Sequence, residues 1–216
     1  MFDLFKRKKG QRGPAEGDPT MFAEFLEYFG EAPVLEDGAA DPYDAFIDGL
    51  GGRSFGNGVF KSFGRSDLSK WYDIVDCPLF SRLKGRFKVF GYDWRGRVFA
   101  VNQSDDDCGN VILLNPGDLK FLYIGCPLLE FLNSEIPAYA DACLDSEIYA
   151  DWLASHPPVG PMECAGYRIP LFLGGEDSLE NMEVSDMEVY WDMTDQLWEA
   201  VKDLPEGTKI GNISFE

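Results

Sequence analysis

Basic side chains are scarce in this chain: 19 lysines and arginines stand against 38 aspartates and glutamates in 216 residues, a formal charge of −19. A phosphate backbone is bound by a basic surface, so this balance argues against direct nucleic-acid binding. No apolar run approaches the roughly 18 to 20 residues of a membrane span, and the start lacks a signal-peptide core; both point to a cytoplasmic protein. The five cysteines, Cys77, Cys108, Cys126, Cys143 and Cys164, are an odd number without close pairs. That excludes a disulfide framework and a clustered zinc site, and reads as reduced thiols.

Catalytic signatures are equally thin. Histidine occurs once, as His156 before Pro157-Pro158, so a nucleophile pair would have to use it, with Cys164 the nearest thiol. Ser81-Arg-Leu-Lys84 fits S-x-x-K but lacks that motif's S-D-N and K-T-G companions. Gly49–Gly58 contains G-x-G, yet Ser54 stands where the third glycine belongs and the run follows a helical stripe, not a strand. Asp105-Asp106-Asp107 lacks the alternating acids and terminal Glu of an EF-hand loop. The expectation is a non-enzyme with no cofactor and no metal.

What is present is a core and a field. Apolar residues make up 45% of the chain and aromatics 14%, too much for a disordered acidic tail. By size scaling, about 70% of the chain's surface can be buried. Residues 1–13 carry a net +4, which leaves −23 on the remainder. Between Phe121 and Val201 a single basic residue, Arg168, faces 16 acids. Such a surface attracts a basic partner and speeds the encounter. The head Met1–Lys9 is apolar, then basic, and under three helical turns long; at most it supports weak peripheral contact with an anionic membrane. Gly10–Gly17 follows as a linker.

Patterning predicts α+β, with helices packed on a central antiparallel meander. Asp18-Pro19 starts a helix with Phe22, Phe25, Leu26 and Phe29 on one face, and Asp41-Pro42 starts a second with Phe46, Ile47 and Leu50. A short strand Val59–Phe63 precedes a helix holding Trp71, Ile74 and Val75. Strands are predicted over Arg86–Gly91, Trp94–Asn102, Val111–Leu114 and Leu119–Ile124, the first with a wet, basic face of Arg86 and Lys88. The stripe Arg82, Lys84, Arg86, Lys88 is expected to pair with the chain's own acids. Helices return after Pro127, around Leu128–Leu132 and Ile148–Leu153. The last stretch reads as a strand Tyr167–Leu173, a strand through Met187, Val189 and Trp191, and a helix with Leu197, Val201 and Leu204.

Three stretches carry a family resemblance. Gly51-Gly-Arg-Ser-Phe-Gly-Asn-Gly-Val-Phe60 resembles the G-G-x-S-F-x-x-G core of GAD-like domains. Val89-Phe-Gly-Tyr-Asp-Trp-Arg-Gly-Arg-Val-Phe-Ala100, with Leu113-Leu-Asn-Pro-Gly117, resembles the opening of the C-terminal domain of type VI secretion immunity proteins. Pro170–Trp191, with Gly-Gly-Glu-Asp-Ser-Leu-Glu at its centre, is similar to that family's tail. The resemblance covers about residues 20–200 and leaves the head and linker, residues 1–17, outside it; it implies 18–85 as a GAD-like region and 86–216 as the immunity domain, packed with the preceding region as one body. It implies an architecture of SUKH type and a toxin-neutralising function: binding a secreted DNase effector and masking its basic active-site region. It brings no catalytic residues.

Within that motif Glu176, Asp177, Glu180, Glu183 and Asp186 are candidate toxin contacts. The competing reading is that the motif is scaffold, with Pro170, Gly174, Gly175 and Trp191 as strand, turn and core residues. Specificity would then sit on other acidic loops such as Asp105, Asp106 and Asp107. Two further classes stay open: a non-catalytic SUKH-type scaffold or regulator without a toxin, and a hydrolase using His156 with Cys164 or a carboxylate. Oligomeric state is not legible.

Overall fold

In the computed structural model the residues described are 21–32, 41–104, 107–205 and 208. The expected head and linker, and the Asp18-Pro19 helix start, lie outside them. The first described helix, α1 (Ala23–Tyr28), buries Phe25 and Leu26. In α2 (Pro42–Leu50) the Asp41 carboxylate accepts the Tyr43 amide at 2.9 Å and Pro42 occupies the first turn, as the dipeptide predicts.

The chain then builds one antiparallel sheet in strand order β1 (Ser54–Phe55), β2 (Phe60–Ser62), β3 (Phe87–Asp93), β4 (Val98–Asn102), β5 (Asn110–Asn115) and β6 (Lys120–Pro127). The helix α3 (Leu68–Val75) lies between β2 and β3 in sequence. The predicted four-stranded meander is therefore extended by β1 and β2, with Phe60 opposite Asp93 and Ser62 opposite Gly91. After β6 come α4 (Leu128–Glu130), a π-helical turn Phe131–Glu135, α5 (Ile136–Leu144) and α6 (Ser146–Leu153). A two-stranded hairpin, β7 (Glu163–Tyr167) with β8 (Met182–Asp186), leads into α7 (Met187–Val201).

The last strand, β6, leaves Leu122 and Tyr123 half exposed, whereas both faces of the central strands β3–β5 are covered. On one, Phe90, Phe99, Val101, Val111 and Leu113 pack with Phe25, Phe46, Phe131 and Trp152 from α1, α2 and the helices after β6. On the other, Val89, Tyr92, Val98, Ala100, Ile112 and Leu114 meet Trp71 of α3 and Met187 and Trp191 of α7. Double coverage explains the unbroken apolar runs Val98–Val101 and Val111–Leu114. It also limits the predicted wet face of β3 to Arg86 and Lys88, because Val89–Asp93 are all buried. The Lys88 ammonium lies over the Tyr43 ring, 5.1 Å from its centroid, so aromatic contact holds it instead of the expected carboxylate.

Three predicted elements are corrected. The strand expected over Tyr167–Leu173 ends at Tyr167, where Leu171–Leu173 wind into a 3₁₀ turn after Pro170, which has no amide for a ladder. The strand expected through Met187, Val189 and Trp191 is helix. Asp186 caps it by accepting the Val189 amide at 3.0 Å, and Met187, Tyr190, Trp191 and Thr194 are its buried stripe. That helix ends at Val201, so Leu204 lies beyond it and is exposed.

The β3–β4 turn joins the layers. Asp93, fully buried, accepts the amides of Arg95 and Arg97 at 3.0 Å each and the Arg97 Nε at 2.5 Å. Burial by itself disfavours the Arg97 charge, but Asp93 and Asp145 outweigh it and hold the guanidinium protonated. Arg95 reaches Asp145 and Asp177 at 2.5 Å, and the Tyr167 hydroxyl. The Trp94 indole donates to the Leu144 carbonyl at 2.9 Å, and the Trp191 indole donates to the Gly96 carbonyl at 2.8 Å. Gly96 has φ +77°, and a Cβ there would meet Cys164 at 3.0 Å, so the turn requires glycine.

A further buried charge, Lys61 of β2, is 1% exposed, donates to the Glu163 carbonyl at 3.4 Å and lies over the Tyr92 ring. Burial pushes its pKa down to about 8, against the opposing pull of Asp93 and Glu163.

Two outcomes follow. Asp93→Ala removes the Nε partner of buried Arg97, leaves it Asp145 at 3.0 Å as its ion-pair partner, and frees two turn amides. It should cost about 3 kcal/mol in urea unfolding, while Asp93→Asn, which keeps an acceptor for both amides, should cost less. For Lys61 the folded pKa lies below the ordinary lysine value of 10.5, so between pH 8 and 10.5 the unfolded chain holds more protons at this site and stability rises with pH. The stability difference between wild type and Lys61→Met should therefore grow in favour of wild type across that window; a flat difference refutes it.

Candidate functional site

The acidic candidates fall mainly on one segment, the loop between β7 and β8 together with β8 itself, up to the cap of α7. Gly174, at φ +87°, turns the chain out of the Leu171–Leu173 coil, and a second 3₁₀ turn, Leu179–Asn181, returns it to β8. Asn181 ties this loop shut: its side chain donates to the carbonyls of Ile169 at 2.8 Å and Glu176 at 2.9 Å, and accepts the Ile169 amide at 3.1 Å.

The five carboxylates on the segment divide by what they hold. Asp177 is bound inward, accepting Arg95 and the Tyr167 hydroxyl at 2.5 Å each, although more than half of its side chain is exposed. Asp186 caps α7. Glu183 pairs with Arg168 at 3.2 Å across the hairpin, an exposed and therefore weak bond. Glu176 and Glu180 face solvent. The Glu180 carboxyl is held below its ordinary pKa by its own backbone amide and the Ser178 hydroxyl. The motif thus combines scaffold positions, Asp177 and Asp186, with outward charge at Glu176 and Glu180.

Asp107 is elsewhere. It sits in the β4–β5 connection at φ +64°, where its side chain accepts from Asn110. That connection leaves the far end of β4 from the turn that binds Asp177, so the two acidic groups are not brought together. Asp105 and Asp106 lie outside the described residues.

The catalytic alternatives do not assemble. His156 stacks on Trp152 with centroids 3.8 Å apart and lies within 3.0 Å of the neighbouring Ser155 hydroxyl. Cys164 is fully buried against the β3–β4 turn, where burial pushes its thiol far above the ordinary value and denies it a thiolate. Gly52-Arg-Ser-Phe-Gly56 has the spacing of a nucleophile elbow, but Ser54 lies within β1 opposite Lys61, not on a strand-to-helix turn. Among the described residues no cluster of three or more His, Cys, Asp or Glu is arranged for a metal, and no helix is long and apolar enough to cross a membrane.

The glycine-rich motif has a packing role. Gly58, at φ +98°, leaves room for the Val159 carbonyl, which a Cβ would meet at 2.6 Å. The Tyr149 hydroxyl donates to the Asn57 carbonyl at 2.6 Å and accepts the Val159 amide at 3.2 Å. The motif therefore anchors α6 and the following loop to the sheet.

The overall fold is shared with a protein from Agrobacterium tumefaciens, whose crystal structure is described as that of Atu4351: the TM-score is 0.52 at 19% identity, over 81% of this chain and 80% of that one. At that identity the likeness is one of fold. No curated protein matches the chain. Residues 130–198, about a third of the chain and including α5, α6, the β7–β8 hairpin and most of α7, match the family model described as T6SS immunity protein Tdi1, C-terminal. The match begins well after residue 86, and it supports a type VI secretion immunity protein, a class of partner-binding and non-catalytic proteins.

Proposed function

We propose that this protein binds and neutralises a secreted DNase effector in the cytoplasm, masking the effector's basic active-site region with its own acidic surface. One observation carries the reading: in the stretch that matches the immunity family, residues 130–198, a single basic residue accompanies 15 acids. A nuclease cleft must attract phosphates and is therefore basic. An acidic surface competes for that cleft and is drawn to it at long range. Glu176 and Glu180 supply outward charge on a loop pinned by Asn181, so little ordering is lost on binding. In the same reading residues 18–85 are a GAD-like region and the architecture is of SUKH type.

The test is co-expression in a nuclease-sensitive bacterial host with the effector encoded beside this gene. Growth and an intact chromosome are expected with the wild-type protein and loss of both without it; degradation despite soluble expression counts against the reading. Glu176→Lys with Glu180→Lys should weaken effector binding about tenfold or more while leaving the melting temperature nearly unchanged. Asp177→Lys should lower the melting temperature as well, because it repels Arg95.

A further inference from the structure

The exposed side of α7 does not face open solvent along its whole length. Beside α3 it forms a groove of about 530 Å³ with the nearly buried Trp191 at its floor. Asp73, Ile74 and Cys77 come from the α3 side, and Glu188, Val189, Asp192 and Asp195 from α7. Val189 is 52% exposed, and Met193, one turn further along α7, is 44% exposed. An apolar pair on the outer side of a helix whose buried stripe is already complete has no role in this chain's own core.

The rim decides what fits. Its four carboxylates are accompanied by no lysine or arginine among the lining residues. Lys70 stands at one end, engaged by Glu188. At the other, Asp195 accepts the Leu79 amide at 3.3 Å. The half-buried Asp195 carboxyl is raised above its ordinary pKa by burial, so an incoming cation relieves an existing electrostatic cost. A second copy of this chain would bring another −19 and a like set of carboxylates, which is repulsive. The groove also continues the acidic segment already described, since Glu188 follows the capping Asp186 on the same helix.

We infer that the groove between α3 and α7 docks a basic segment of the effector, an apolar side chain flanked by lysine or arginine, seated over Val189 between Asp73 and Asp192. The inference rests on the immunity reading and extends it: α3 lies outside the family-matched stretch, so the first half of the chain contributes directly to recognition.

The probe is the catalytically inactive nuclease domain of the effector encoded beside the gene, titrated against the full-length protein. Asp73→Lys with Asp192→Lys should raise Kd at least about tenfold and flatten its salt dependence. Val189→Asn should raise Kd without changing that dependence. Glu147→Lys with Asp151→Lys on α6, the same change in net charge on another helix, should leave Kd within about twofold. Circular dichroism melting of each variant separates lost contact from lost fold. If both groove variants bind as wild type does while Glu176→Lys with Glu180→Lys binds weakly, the groove proposal is overturned and the immunity reading stands. If wild type neither binds nor protects, both fall. Concentration-dependent sedimentation abolished by the groove variants, with effector affinity intact, would assign the groove to a second copy and overturn the proposal.

Discussion

A carboxylate with no access to water organises this molecule. Asp93 closes the β3–β4 turn by accepting two backbone amides and the Arg97 guanidinium, and the pairing makes its burial tolerable. A buried charge loses several kcal/mol of hydration, returned only when geometry and hydrogen bonds are complete. Once the turn is held, its remaining groups reach outward to four other parts of the chain. Trp94 takes the end of α5, Arg95 takes Asp145 and the β7–β8 loop, and the Gly96 carbonyl takes α7 through Trp191. The acidic surface is thus mounted on a rigid support that begins in the sheet.

The same arrangement sharpens the surface field. Arg95, Arg97 and Lys61 are among the few cations of the chain, and all three are buried. Drawing them inward leaves solvent-facing acids such as Glu176, Glu180, Asp73 and Asp192 with fewer local counter-charges. Negative charge at the surface and positive charge within are therefore coupled features. In the proposed complex with a basic effector, this favours fast encounter, while the pinned loop and the packed helix α7 limit the ordering cost of docking.

Much of the architecture was legible because its signals are local. Asp41-Pro42 marks a helix start, and the apolar runs around Val98 and Val111 read as strands of a meander. The misread elements are those where local pattern and tertiary contact diverge. Met187, Val189 and Trp191 alternate in sequence, but the capping carboxylate of Asp186 and the i, i+3, i+4, i+7 burial of Met187, Tyr190, Trp191 and Thr194 select a helix. Glu163–Tyr167 carries small residues with little strand signature, and pairs as β7 because Cys164 and Ala165 pack against the β3–β4 turn. Within the basic stripe, whether Lys88 meets a carboxylate or the Tyr43 ring depends on a residue 45 positions earlier in the chain.

Composition and local order alone determined the acidic charge, the α+β class, the thin catalytic repertoire and the segment in which the acids are concentrated. These depend on counts and short-range periodicity. Tertiary structure decided which of the acids are support and which are surface. Asp177 and Glu176 are neighbours in sequence, yet one is drawn to Arg95 from a turn 82 residues away and the other faces water. It also decided that Asp73 and Asp192, more than 100 residues apart, border one groove. Long-range packing alone places them there, because a side chain's partners are set by what the folded layers bring beside it.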